Sequence, residues 1–168
     1  NFKSVSCTYN AMVGHEGEYT IARTDKPKRV VVVGGGPAGM ETARVLALRG
    51  HHVTLYERND QLGGQLRYAY IPPGREEIQN VITYLERQIL KLKVNIKTGK
   101  EADLQMLEKE RPDAVIIATG GQPIMLNIPG INGENVYIAS DVLEGKASLG
   151  REVVIIGGGT VGCEVALY

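Results

Sequence analysis

Lys28-Arg-Val-Val-Val-Val-Gly-Gly-Gly-Pro-Ala-Gly-Met-Glu-Thr-Ala43 returns later in the chain as Arg151-Glu-Val-Val-Ile-Ile-Gly-Gly-Gly-Thr-Val-Gly-Cys-Glu-Val-Ala166. Each copy is a run of four β-branched residues, then G-x-G-x-x-G, then an alanine beyond the last glycine. A single glycine-rich turn is common. Two of them, each behind a buried-strand pattern and ahead of a helix pattern, predict tandem dinucleotide sites and an electron path between two nucleotides. The second copy stops at Tyr168, so the chain is expected to be a fragment.

Outward from the first copy the chain alternates strand and helix. Arg29–Val33 reads as a strand buried on both faces of a parallel sheet. Pro37 to about Leu48 reads as a helix, with proline at its start and Gly50 just past its end. Val53–Glu57 is the second strand, followed by a Gly- and Pro-rich loop from Asn59 to Gly74. From Arg75 to about Lys91, the residues Ile78, Val81, Ile82, Leu85, Ile89 and Leu92 recur at helical spacing on one face. A short strand at Val94–Lys97, a short helix at Asp103–Glu110 and an apolar strand at Ala114–Ala118 follow.

That succession predicts an α/β, Rossmann-like parallel sheet with flanking helices and right-handed connections. The expected organisation is an irregular lead-in over 1–27 and a first nucleotide-binding domain over 28–121. A bridge over 122–150 would carry a brief Val136–Ile138 run and a short helix capped by Ser140. Residues 151–168 would open a second nucleotide-binding unit, cut short. Its Val153–Ile156 strand is expected to find burial at the edge of the first sheet or by exchange between two chains, making a homo-oligomer, because open strand edges invite pairing.

Bulk composition narrows the partners. The 168 residues carry 19 basic and 19 acidic side chains, which gives no electrostatic footprint for nucleic acid or an anionic membrane. No apolar run approaches a transmembrane length and no signal peptide is visible. Cys7 and Cys163 make no disulfide framework, which fits a reducing cytoplasm.

Each residue of the first fingerprint has a physical task. Gly34 permits the tight turn, Gly36 lets a pyrophosphate approach the backbone, and Gly39 lets helix and strand pack closely. Pro37 and Ala38 open the helix whose free N–H groups and positive dipole end face the phosphates. Glu57, at the end of the second strand, is placed to accept hydrogen bonds from adenosine ribose hydroxyls. A 2′-phosphate would meet that carboxylate, so the site is expected to reject NADP, an inference that the neighbouring Arg58 softens.

Downstream, Gly63-Gly64-Gln65-Leu66 and Val115-Ile-Ile-Ala118-Thr119-Gly120 complete a series. With the fingerprint they resemble the three-part signature of two-dinucleotide flavoproteins. The resemblance assigns the first fingerprint to the ADP half of FAD, with Gly64, Gln65, Ala118, Thr119 and Gly120 beside it. It assigns the second, Gly157, Gly159, Thr160, Val161 and Gly162, to NAD(P)H. The strand that would select NADH or NADPH is absent from the second unit, so binding there is expected to be poor.

Ser6-Cys7-Thr8-Tyr9-Asn10, ahead of the fingerprint, resembles the segment carrying the last cysteine ligand of a 4Fe–4S cluster. The family is the iron–sulfur flavoenzymes related to 2,4-dienoyl-CoA reductase, trimethylamine dehydrogenase and NADH:flavin oxidoreductase. Gly63-Gly-Gln, Ile71-Pro-Pro-Gly74 and Ala118-Thr-Gly120 extend the resemblance over nearly the whole chain. It implies a parent with an FMN-bearing barrel before residue 1 and an NAD(P) domain after residue 168. Electrons would pass from NAD(P)H through FAD and the cluster to FMN and a substrate. Cys7 would be a cluster ligand in the parent and an idle thiol here, since four thiolates are needed.

No residue reads as a catalytic acid, base or nucleophile. His51 and His52 read as a solvated turn, His15 lacks a metal-spacing partner, Cys163 reads as a small packing residue, and Tyr68 and Tyr70 as surface or packing tyrosines. A disulfide reductase with a Cys-x4-Cys pair after the first helix is excluded, because residues 40–120 contain no cysteine, whereas a thioredoxin-reductase-like flavoprotein with its Cys-x-x-Cys pair in the NAD domain stays open as an alternative. A relative of the glutamate synthase small subunit and a non-catalytic module holding structural ADP stay open as alternatives.

Overall fold

The computed structural model describes residues 5–7 and 9–168; residues 1–4 of the lead-in and Thr8 of the cysteine segment lie outside the described residues. Four strands, β1 (Arg29–Val33), β2 (His52–Tyr56), β3 (Asn95–Lys97) and β4 (Ala114–Ile117), form one sheet in the order β3-β2-β1-β4. All three pairings are parallel, with Val32 opposite both Leu55 and Ile116. The Rossmann-like α/β expectation therefore holds, and strand bounds agree with the sequence reading to within a residue.

Period two decides which side chains meet which layer. Val32, Val53 and Leu55 point to one face, where α1 (Pro37–Leu48) and α3 (Ile78–Lys91) pack. Met40 and Ala43 of α1 and Ile82, Leu85 and Ile89 of α3 close that core. Helix α1 begins on Pro37 behind an extended Gly36 and ends where Gly50, at φ +91°, donates to the Ala47 carbonyl and His51 to Leu46. That pattern is a Schellman cap.

The same cap ends α3, but Lys93 occupies the left-handed position, at φ +58°. A side chain there costs roughly 1–2 kcal/mol, against a smaller entropic cost for glycine. Lys93→Gly is therefore expected to stabilise the chain by about 0.5–1 kcal/mol, read as a higher urea midpoint at unchanged slope.

On the opposite face, Tyr56 is 4% exposed and its hydroxyl donates to the Glu110 carboxylate of α4 (Leu104–Glu110). Burial, then the hydrogen bond and charge of Glu110, pushes the phenol from 10.0 up to about 12. A raised folded pKa means stability present below the unfolded value and lost as pH rises through the folded one. Between pH about 10 and about 12, the wild type should lose more stability than Tyr56→Phe. Parallel unfolding curves across that range would rule the contact out as a pH-sensitive tie.

Several expectations are corrected. The loop from Asn59 to Gly74 contains one helical turn, α2 (Leu66–Ala69). Helix α3 starts at Ile78, not Arg75, because Arg75, Glu76 and Glu77 form successive tight turns behind Gly74 at φ +79°. Val136–Ile138 forms no strand. Helix α5 (Ala139–Leu143) has Ile138 at its N-cap, and Ser140 lies inside the first turn without capping it.

Val153–Ile156 is also no strand, and its four side chains are 42–90% exposed. It neither joins the first sheet nor finds another ladder among the described residues, and a β-branched run without a backbone partner cannot form a ladder by propensity alone. Beyond it lies α6 (Thr160–Ala166), the helix expected after the second glycine run. Among the described residues, no helix is long and apolar enough to cross a membrane.

Candidate functional site

The first glycine run sits where β1 gives way to α1, at the carboxyl ends of the parallel strands. Gly34 has φ +107°, and its N–H donates to the Tyr56 carbonyl at 2.8 Å. A Cβ built on it would stand 2.3 Å from the Ala118 carbonyl oxygen. Gly39 is tighter: its Cβ would lie 1.8 Å from the Gly34 carbonyl oxygen. These two positions exclude any side chain. Gly36 is different, with only the Gly64 Cα within reach at 3.9 Å, so its backbone is open on the side a phosphate would approach.

Glu57 lies immediately after β2 and is 6% exposed. Its Oε2 accepts from the Gly35 N–H at 2.6 Å and its Oε1 from the Asn59 N–H at 2.8 Å. Its own backbone is tied to Lys97 and Lys100, each at 2.9 Å. The carboxylate expected to face a ribose is thus first a clasp on the glycine loop. A carboxylate has about four acceptor positions, so lone pairs remain for two hydroxyls. Arg58 beside it is exposed.

The other predicted residues gather at the same end of the sheet. Gly63 donates to the Gly35 carbonyl at 2.9 Å, and a Cβ on Gly64 would stand 2.9 Å from Gly36 Cα. Gln65 Nε2 donates to the Gly121 carbonyl at 3.0 Å. Ala118 donates to the Val33 carbonyl at 2.8 Å, while Thr119 and Gly120 continue beyond β4 as exposed backbone. Pro37, Ala38 and Gly39 form the first turn of α1, whose leading N–H groups have no partner within the helix. Dense backbone donors beside a ribose acceptor suit a diphosphate joined to an adenosine. Two clefts of about 420 and 340 Å³ contain no glycine of either run.

The second run repeats the local geometry. Gly157 has φ +113°, and a Cβ on Gly162 would lie 1.9 Å from the Gly157 carbonyl oxygen. Gly159 caps α6 at φ −78°, ψ −176°, as Gly36 caps α1 at φ −72°, ψ −179°. Surroundings differ: nothing lies within 4 Å of a Cβ on Gly157 or Gly159, and Thr160 and Val161 are exposed. The structure does not bring this loop together with the first.

Cys7 is exposed, and the described residues hold no cluster of three or more His, Cys, Asp or Glu able to grip a metal. Cys163 is exposed too, which corrects its reading as a packing residue. His51 Nδ1 accepts from the Lys28 N–H at 3.1 Å, and His15 pairs with Glu18 and stacks on Tyr19. Burial, then the charge of Glu144, raises the Tyr68 hydroxyl above its ordinary pKa. The sequence reading missed the roles of Gly35 and Asn59. Gly35 carried a signal, a glycine between two others at a position the fingerprint spacing leaves free.

Fold and glycine geometry together define a dinucleotide-binding α/β protein. The chain belongs to the pyridine nucleotide-disulphide oxidoreductase family, whose model matches residues 28–168 and, overlapping, 12–71. It is 46% identical to an NADH oxidase of Thermoanaerobacter brockii over 96% of this chain and 26% of that protein. It is 42% identical to a cinnamate reductase of Clostridium sporogenes over 100% of this chain and 25% of that one. A solved 2-naphthoyl-CoA reductase in complex with 2-naphthoyl-CoA superposes with a TM-score of 0.92 at 41% identity, over 95% of this chain and 24% of that chain. The chain therefore spans about a quarter of the length of the relatives it matches.

Proposed function

We propose that this chain is the nucleotide-binding portion of a pyridine-nucleotide-dependent flavin oxidoreductase, and that Gly34, Gly36, Pro37, Ala38, Gly39, Glu57, Arg58, Gly64, Gln65, Ala118, Thr119 and Gly120 hold the ADP part of FAD. The observation carrying this reading is Glu57, buried yet retaining acceptor positions, clasped to Gly35 beside the open backbone of Gly36. Ala38 and Gly39 present free N–H groups to the diphosphate behind Pro37, and Glu57 takes the ribose hydroxyls. Gly157, Gly159, Thr160, Val161 and Gly162 form the approach of NAD(P)H. Bound flavin supplies hydride and electron transfer, and the protein's share is to bind and orient it. Residues 28–121 act as the first nucleotide domain and 151–168 as part of the second. Cys7 is one ligand of a cluster that relays electrons to FMN in a larger parent.

The test is calorimetric titration with ADP, FAD and 2′-phosphorylated ADP, alongside a visible spectrum. ADP and FAD binding with rejection of the 2′-phosphate supports the reading, and equal affinity for all three overturns the role of Glu57. Extractable ADP without flavin colour would instead assign the site a structural nucleotide.

A further inference from the structure

One segment of the chain, residues 63–75, touches the first glycine run and the helix that follows the second. Its start clamps the first, through the Gly63 N–H on the Gly35 carbonyl and the close approach of Gly64 to Gly36. Gln65 reaches the backbone of Gly121, past the end of β4. At its far end, the Arg75 guanidinium pairs with the Glu164 carboxylate of α6, the helix of the second run. Both side chains are only partly exposed, 46% and 26%.

The internal repeat shows why that pair is informative. Glu41 holds the same place after Gly39 that Glu164 holds after Gly162. Glu41 is satisfied locally, accepting from Arg44 Nε and Nη2 at 2.7 and 2.6 Å. In the second copy, Leu167 stands where the first has Arg44. Glu164 has no basic residue one turn on and takes Arg75 from a distant part of the chain instead. A further tie runs alongside: α5 packs on α6, and Glu144, the C-cap of α5, lies near Tyr68 of α2.

We propose that Arg75 is a positioning residue, which through Glu164 seats the second glycine run on the segment that Gly63 and Gly64 clamp to the first, so that filling the first nucleotide site steadies the second. This rests on the assignment of the first run to an ADP moiety. A nucleotide lying along Gly36 presses on Gly64, and the short helix α2 and the turns up to Arg75 carry that restraint to α6.

Amide hydrogen exchange with ADP as the probe tests the proposal in the whole chain. In Arg75→Ala, the amides of Thr160–Leu167 should exchange about three- to fivefold faster than in wild type without ligand, the range of a partly exposed ion pair. ADP should slow those amides in wild type and leave them unchanged in Arg75→Ala, while its Kd shifts by less than about twofold because Arg75 does not touch the first run. The charge-swapped pair Arg75→Glu with Glu164→Arg should restore the coupling, which a merely structural loss would not allow. Equal exchange of Thr160–Leu167 in wild type and Arg75→Ala overturns the seating. Slowing confined to Gly34–Gly39 in wild type overturns the coupling. No slowing anywhere overturns the ADP assignment and the coupling with it, and the ligand-free comparison still decides the seating.

Discussion

Gly39→Ala is expected to lower the stability of the chain by about 3 kcal/mol or more, a large part of what a domain of this size has. The new methyl would stand 1.8 Å from the Gly34 carbonyl oxygen, and a backbone atom cannot swing aside as a side-chain end can. Relief requires moving α1 off β1. Gly34 is itself fixed by its hydrogen bond to Tyr56 and by the Ala118 carbonyl beside it. Met40 and Ala43, fully buried on α1, would be drawn out of the core with the helix. Gly162→Ala makes the same local collision, at 1.9 Å from the Gly157 oxygen, yet α6, the helix this loop opens, contributes no residue to the buried core. Its urea midpoint should stay near that of wild type while Gly39→Ala falls steeply. Equal loss in both variants would show that the collision is felt locally and that α1 is not the keystone of the core.

Glu57→Gln should weaken ADP binding about 10- to 100-fold, as expected when a charged acceptor of two hydroxyls becomes a neutral amide. The same change costs about 1–3 kcal/mol of stability, because the amide NH₂ must confront either the Gly35 or the Asn59 N–H, both donors. Two readouts separate the roles. Pyrophosphate, which lacks a ribose, should bind the variant nearly as well as wild type, and 2′-phosphorylated ADP should gain ground relative to ADP. Unchanged ADP binding in Glu57→Gln would leave Glu57 a clasp on the loop and nothing more.

The spacing of Gly34 and Gly39 told the turn and the close approach, because each is a local backbone demand that only glycine meets, while Gly36 marked the open backbone at the helix start. The face of α3 was legible for a similar reason, since six apolar residues at helical spacing permit one buried stripe. The clasp from Glu57 to Gly35 was not legible, as it depends on how far β2 carries the carboxylate past the end of β1. Helix α2 is a single turn and leaves no period to detect. Val153–Ile156 misled because β-branched residues favour a pleated, half-buried surface, and sequence does not say whether a neighbour supplies one. Arg75 and Glu164 are far apart in the chain, and only the missing arginine at Leu167 hinted that Glu164 would look elsewhere.

The central place of β1 sets an order in time. Its clasp to Glu57 spans a separation of 22 residues, whereas the tie between Arg29 and Asp113 that brings in β4 spans 84. Closing the longer loop costs about 1 kcal/mol more in chain entropy, and contacts of long separation form late. The β1–α1–β2 crossover unit, with the unpaired N–H groups at the start of α1 and its acid already clasped, can therefore assemble while β4 is still free. A nucleotide arriving at that moment would meet a half-built sheet that can already grip it, and would act as a template on which the remaining strand is laid.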